Sequence, residues 1–156
     1  MISDEVAQFL QQGLSLHVAT RDARMAPLGA RAFALRVHDD GRRLTVYVAE
    51  AAAVRLRDAL EVSRQAAVNV GRPVDDRACQ VKGVLEAMHP ADVADRPIIE
   101  TQWQGFLDQL TCIGVVPDAI SGWVIWPALS IELRVTALFE QTPGPLAGAS
   151  MPLSRP

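Results

Sequence analysis

Two hydrophobic periods alternate along the chain and divide it into strands and helices. After Ser3, the stretch DEVAQFLQQG has acids in its first turn and Gly13 where a C-terminal cap falls, which predicts a short helix. LSLHVAT then alternates and is partly β-branched, as a half-buried strand does. RDARMAP reads as a turn, LGARAFALRV as a strand, HDDGRR as a hairpin built on Asp40 and Gly41, and LTVYVAE as the next strand. Over residues 51–62 the period becomes helical, with Val54, Leu56 and Leu60 along one side.

AAVNVG and CQVKGVLEAM are again strand-like, separated by the turn residues RPVDDR. Beyond Pro90, IIETQWQGFLDQL spaces Ile98, Ile99, Trp103, Phe106, Leu107 and Leu110 as one face of a packing helix. GWVIWPALSIELRVTALF is the last long strand, with Pro127 marking a bulge or an edge. About six strands joined mostly by hairpins, without alternating βαβ units, favour a closed or partly closed antiparallel barrel with helices outside. Residues 1–140 form that single domain. The Pro-, Gly-, Ala- and Ser-rich residues 141–156 form an extended or flexible tail, a segment suited to lie on a partner subunit.

Composition narrows the function. At 156 residues and 49% hydrophobic content, one domain has enough apolar surface for a real core. A formal charge of -3 supplies no global basic field for nucleic acid or an anionic membrane. No window holds the roughly 18 apolar residues of a membrane span, and the N-terminus lacks a basic signal region, so a cytoplasmic protein is expected. Cys79 and Cys112 fit no metal or redox spacing and read as buried thiols in a reducing compartment. His17, His38 and His89 are equally scattered, and nothing in their spacing suggests a metal site. Lys82 is the sole lysine, so an anion site must rely on arginine.

RAFALR, residues 31–36, poses the sharpest question, because two guanidinium groups bracket an apolar strand segment. Alternation puts Arg31 beside Phe33, Leu35 and Val37 and leaves Arg36 on the opposite face. A cation on an apolar side needs water at the rim or an anion that comes to meet it.

The order of helix, VATRDARMAPLGARAF, Asp-Gly hairpin, VYVAE, basic helix turn and VKGVLEA resembles the FMN-binding split-barrel family related to pyridoxamine 5'-phosphate oxidase. The resemblance implies a mainly β fold, a six-stranded antiparallel split barrel with flanking helices, working as a homodimer with FMN at the subunit interface. It implies a flavin-dependent oxidoreductase acting on a small-molecule redox substrate that the sequence does not identify. Arg31 and Arg36 stand where the family holds the flavin phosphate, and Arg55 keeps one cation of a helix-start motif. Val54 and Leu56 replace that motif's hydroxyl and lysine. Val48, Ala49 and Glu50 correspond to a strand end whose backbone touches the flavin. Gln80 shares strand parity with Ala78, the position aligned with the family's ring-facing glutamine, and Lys82 is assigned a surface or phosphate contact. Trp123 and Trp126 are expected in the core or at the dimer interface. In the last strand Arg134-Val135-Thr136 departs from the Arg-x-His substrate motif of pyridoxamine 5'-phosphate oxidase itself. A non-catalytic flavin or haem module, or a dimer that has lost its cofactor, is the alternative. No catalytic residue is legible.

Overall fold

The computed structural model describes residues 1–120 and 122–153. Six strands, β1 (Ser15–Arg21), β2 (Pro27–Val37), β3 (Arg43–Ala49), β4 (Gln65–Gly71), β5 (Ala78–Pro90) and β6 (Ala128–Glu140), lie in the order β3-β2-β1-β4-β5-β6. β6 pairs back onto β3 from Ala49↔Ala128 to Arg43↔Arg134, which closes an antiparallel barrel. A barrel closed in this way leaves no long unpaired edge.

The barrel interior follows from alternation: Leu16, Val18, Val46, Val68, Val81 and Ile131 are among the side chains that fill it. Two helices stop its ends. α1 (Asp4–Leu10) is capped by Ser3, whose hydroxyl accepts from the Val6 amide, and sends Val6, Phe9 and Leu10 into the core. α2 (Glu50–Ser63) contributes Ala53, Leu56 and Leu60. Val54, expected on the buried side of that helix, is 66% exposed, because the inward stripe runs through Ala53 instead.

A third helix, α3 (Arg96–Cys112), lies on the outside of β2 and builds a second apolar cluster from Phe33, Ala34, Tyr47, Ala49, Ile99 and Ala128. Its seat depends on Gln102. β1 pairs with β2 only as far as Ala32, so the later β2 backbone lacks a neighbour on that side. The buried Gln102 amide supplies one, accepting from Leu35 N–H at 3.0 Å and donating to Leu35 C=O at 2.8 Å. Gln11 accepts from Val37 N–H in the same manner. Such substitution matters because a buried unpaired backbone group costs about 1 to 3 kcal/mol.

Several expectations change in three dimensions. The last strand begins after Pro127 rather than at residue 122, since proline cannot donate to the ladder and restricts its predecessor. Trp126 and Ile125 pack on the second cluster, and Trp123 against Phe33 and Trp103. Cys79 is buried, and burial pushes its thiol up to about 12, but Cys112 is exposed at the end of α3. In the tail, β7 (Ser150–Met151) pairs with β6 at Phe139 and Leu138, and Met151 and Leu153 pack on the interior cluster. Among the described residues, no helix is long and apolar enough to cross a membrane.

Candidate functional site: the outer face of the barrel

Because Leu16, Val18, Val68 and Val70 point inward, their neighbours His17, Ala19, Ala67 and Asn69 must point out. Register then joins distant residues. Arg31, His17, Asn69, Gln80 and Phe139 form one row from β2 to β6, and Gly29, Ala19, Ala67, Lys82 and Ala137 form the next. With strands about 4.8 Å apart, each row crosses five strands in roughly 19 Å. The second row is a floor of small side chains interrupted by one ammonium group. Around it, Ala19, Arg21, Gln65, Ala67, Lys82 and Thr136 line a groove of about 560 Å³, within the size range of small-molecule sites. Neither row contains an acid.

Arg31 is the most constrained group on this face. Phe106 of α3 and Trp123 cover its guanidinium, with ring centroids 4.6 and 4.4 Å from Cζ. Its Nη1 lies 3.5 Å from His17 Nε2, and its buried Nε has no hydrogen-bond partner. Among the described residues no carboxylate forms an ion pair with it. Burial lowers the Arg31 value, and burial together with the Arg31 charge holds His17 below its ordinary value. Stacking stabilises a cation by about 0.5 to 2 kcal/mol but does not satisfy its donors. Lys82 is similar: its Nζ lies 4.8 Å from the Phe139 centroid.

A β-bulge decides where the two arginines go. The register between β2 and β3 shifts between Ala32 and Ala34, with Phe33 as the extra residue. The shift sends Leu35 and Val37 inward and keeps both Arg31 and Arg36 outside, which overturns the simple alternation expected for this strand. Their surroundings nevertheless differ. Arg36 meets Asp95 at 3.3 Å, next to the buried Tyr47 phenol, which desolvation raises against the opposing pull of Arg36.

The remaining sequence-derived residues separate into groups. Gln80 and Lys82 join Arg31 on the outer face. Arg55 is exposed on α2 beside Gly29, Ala51 and Ala52, around a smaller hollow of about 240 Å³. Glu50 begins α2; its amide donates to Pro127 C=O and its carboxylate lies 3.8 Å from Arg57. Ala49 is buried in the second cluster. Val48 points into the barrel, where its strand pairs with both Ala32 and Leu129. His17 and Asn69 escaped the sequence reading, because only cross-strand register brings residues 17, 31, 69 and 80 together.

No family model and no curated protein matches the chain. Solved structures do match. An F420 reductase aligns over 84% of this chain and 93% of its own at 18% identity, with a TM-score of 0.56. A candidate pyridoxamine 5'-phosphate oxidase from Lactobacillus delbrueckii aligns over 88% and 93% at 14% identity and a TM-score of 0.55. An FMN-binding protein from Syntrophomonas wolfei aligns over 97% and 87% at 13% identity and a TM-score of 0.53. Identities this low establish the fold alone, and that fold is the six-stranded antiparallel split barrel with flanking helices.

Proposed function

We propose that the chain is an FMN-binding protein that uses the outer face of β2-β1-β4-β5, and that it works as a flavin-dependent oxidoreductase. The observation that carries this reading is the pairing of Arg31, a half-buried cation with an unpartnered Nε, with an acid-free floor of Gly29, Ala19 and Ala67. Small residues let a planar heterocycle approach the sheet closely. His17, Asn69 and Gln80 offer hydrogen-bonding edges beside it.

Bound there, FMN would supply the redox chemistry, while the protein holds and orients it. Arg31 would hold the phosphate through charge-assisted hydrogen bonds, and Arg55, exposed on α2 beside Gly29, is the second cation proposed for it. Arg36 contributes less, since Asp95 already engages it. Phe106 and Trp123 exclude water from one end of the site. The likeness to an FMN-binding protein and to an F420 reductase supports this assignment. A scaffold without cofactor is the second reading, favoured by the exposed Val54 in the first turns of α2, where the family motif places a hydroxyl.

Titration with FMN and with riboflavin, followed by flavin absorption and fluorescence, separates these readings. FMN is expected to bind more tightly, and Arg31→Ala to weaken FMN by roughly ten- to a hundredfold, the equivalent of about 1.5 to 3 kcal/mol. Equal affinity for FMN and riboflavin would remove the phosphate role, and no binding of either would leave the scaffold. A second copy of the chain is the proposed cover for the exposed sheet face. Sedimentation at micromolar concentration should therefore show a homodimer near twice 16.9 kDa. A monomer at that concentration would place the whole site on one chain.

A further inference from the structure

We propose that His17 is a second, proton-gated ligand for the anion that Arg31 meets, so that this face binds anionic groups more tightly as the pH falls. The inference rests on the anion reading of the face and adds the residue that regulates it.

The geometry narrows where an anion can sit. The N–H groups of a planar guanidinium point outward in its own plane, so with the Phe106 and Trp123 rings over its Cζ, Arg31 hydrogen-bonds through its edge. On that edge Nη1 faces His17 Nε2 at 3.5 Å, the long limit of a hydrogen bond. An oxyanion seated beside this pair would accept from Nη1 and, once the imidazole is protonated, from Nε2–H as well. His17 is exposed on the single chain, so a ligand can seat beside it on the face that the second copy is proposed to cover.

Charge sets the direction of the effect. Beside His17 stand Arg31 from β2 and the neutral Asn69 from β4, while Phe106 of α3 and Trp123 cover Arg31. Lys82 lies farther along the same face. Toward the C-terminal half of α3, Asp108 accepts from Gln104, Arg72 is paired with Asp75, and Asp76 lines, together with Phe106 and Leu110, a separate hollow between α3 and the β4-β5 turn. Without a ligand, protonating His17 would place a second cation against Arg31, and burial opposes it too. A bound anion reverses the local potential and favours the imidazolium. By linkage, a group that gains a proton on binding makes binding stronger at lower pH.

Sulfate is the test ligand, because it remains a dianion from about pH 5 to about pH 8, where histidine titrates. Its affinity for the wild-type protein, read as a thermal shift against sulfate concentration at constant ionic strength, should tighten about tenfold across that range, the linkage of one pKa unit. His17→Gln, whose unliganded melting temperature verifies folding, should bind sulfate with little pH dependence. Arg31→Ala should bind it weakly throughout. A wild-type profile that is flat, or that parallels His17→Gln, overturns the proposal, as does the absence of sulfate binding at every pH. The FMN titration at neutral pH is read separately, so a flavin site without proton gating is recognised as such.

Discussion

Replacing Gly13 by alanine is expected to lower the stability of the protein by about 3 kcal/mol or more, the upper range for overpacking. A Cβ on Gly13 would lie 2.2 Å from the Phe106 amide nitrogen, 2.3 Å from the Gly105 carbonyl carbon and 2.5 Å from the Gln102 carbonyl oxygen. All three are backbone atoms of α3, so no flexible side chain can swing away and the whole helix must shift. Displacing α3 also disturbs the Gln102 bonds to β2, the donation from the Gln109 amide to Gly13 C=O, and the Phe106 ring over Arg31. Gly105→Ala is the internal control. Its Cβ would meet the Gly13 Cα at 3.2 Å, and alanine in mid-helix returns about 0.5 to 1 kcal/mol of propensity. Urea denaturation should rank Gly13→Ala far below Gly105→Ala and the wild type. Equal midpoints for the two variants would show that α3 does not seat against Gly13.

Gln102→Leu is expected to cost about 2 to 5 kcal/mol although its shape is close to that of glutamine. It strands both the N–H and the C=O of Leu35 in a buried setting, at about 1 to 3 kcal/mol for each unsatisfied group. Gln102→Glu sharpens the test. An ionised carboxylate accepts from Leu35 N–H but cannot donate to Leu35 C=O, and burial raises its folded-state pKa above the ordinary value of about 4.3. Its stabilising, protonated form is therefore fully present below that ordinary value and lost as pH rises through the folded one. Gln102→Glu should lie below wild type at pH 7 and close part of the gap near pH 4. Stabilities of both variants equal to wild type at pH 7 would mean that water reaches the Leu35 backbone.

The phosphate-site and dimer predictions act on ligand and partner, and these two on the frame that positions Arg31. They meet at α3, whose Phe106 stacks on the guanidinium only while Gly13 and Gln102 hold the helix in place. Gly13→Ala should therefore weaken anion binding as well as folding, whereas Arg31→Ala should lower folding stability by no more than the about 0.5 to 2 kcal/mol of its ring contacts.

Local pattern sufficed to read the barrel. Period-two alternation in LSLHVAT, LTVYVAE and AAVNVG, together with the Asp40-Gly41 turn, determined which residues fill the interior, because the pleat sends successive side chains to opposite sides. The helical period after Ala51 and the amphipathic run before Cys112 likewise mark α2 and α3. Tertiary structure decided the rest. The bulge at Phe33 reverses the parity on which the opposite-face reading of Arg31 and Arg36 depended, and a single extra residue between paired strands leaves no signature in a hydrophobic pattern. Gly13 looked like a helix cap and is instead a point of close approach to a helix some ninety residues later. His17 and Asn69 join Arg31 and Gln80 only through strand register, a long-range pairing set by closure of the barrel and not by spacing along the chain.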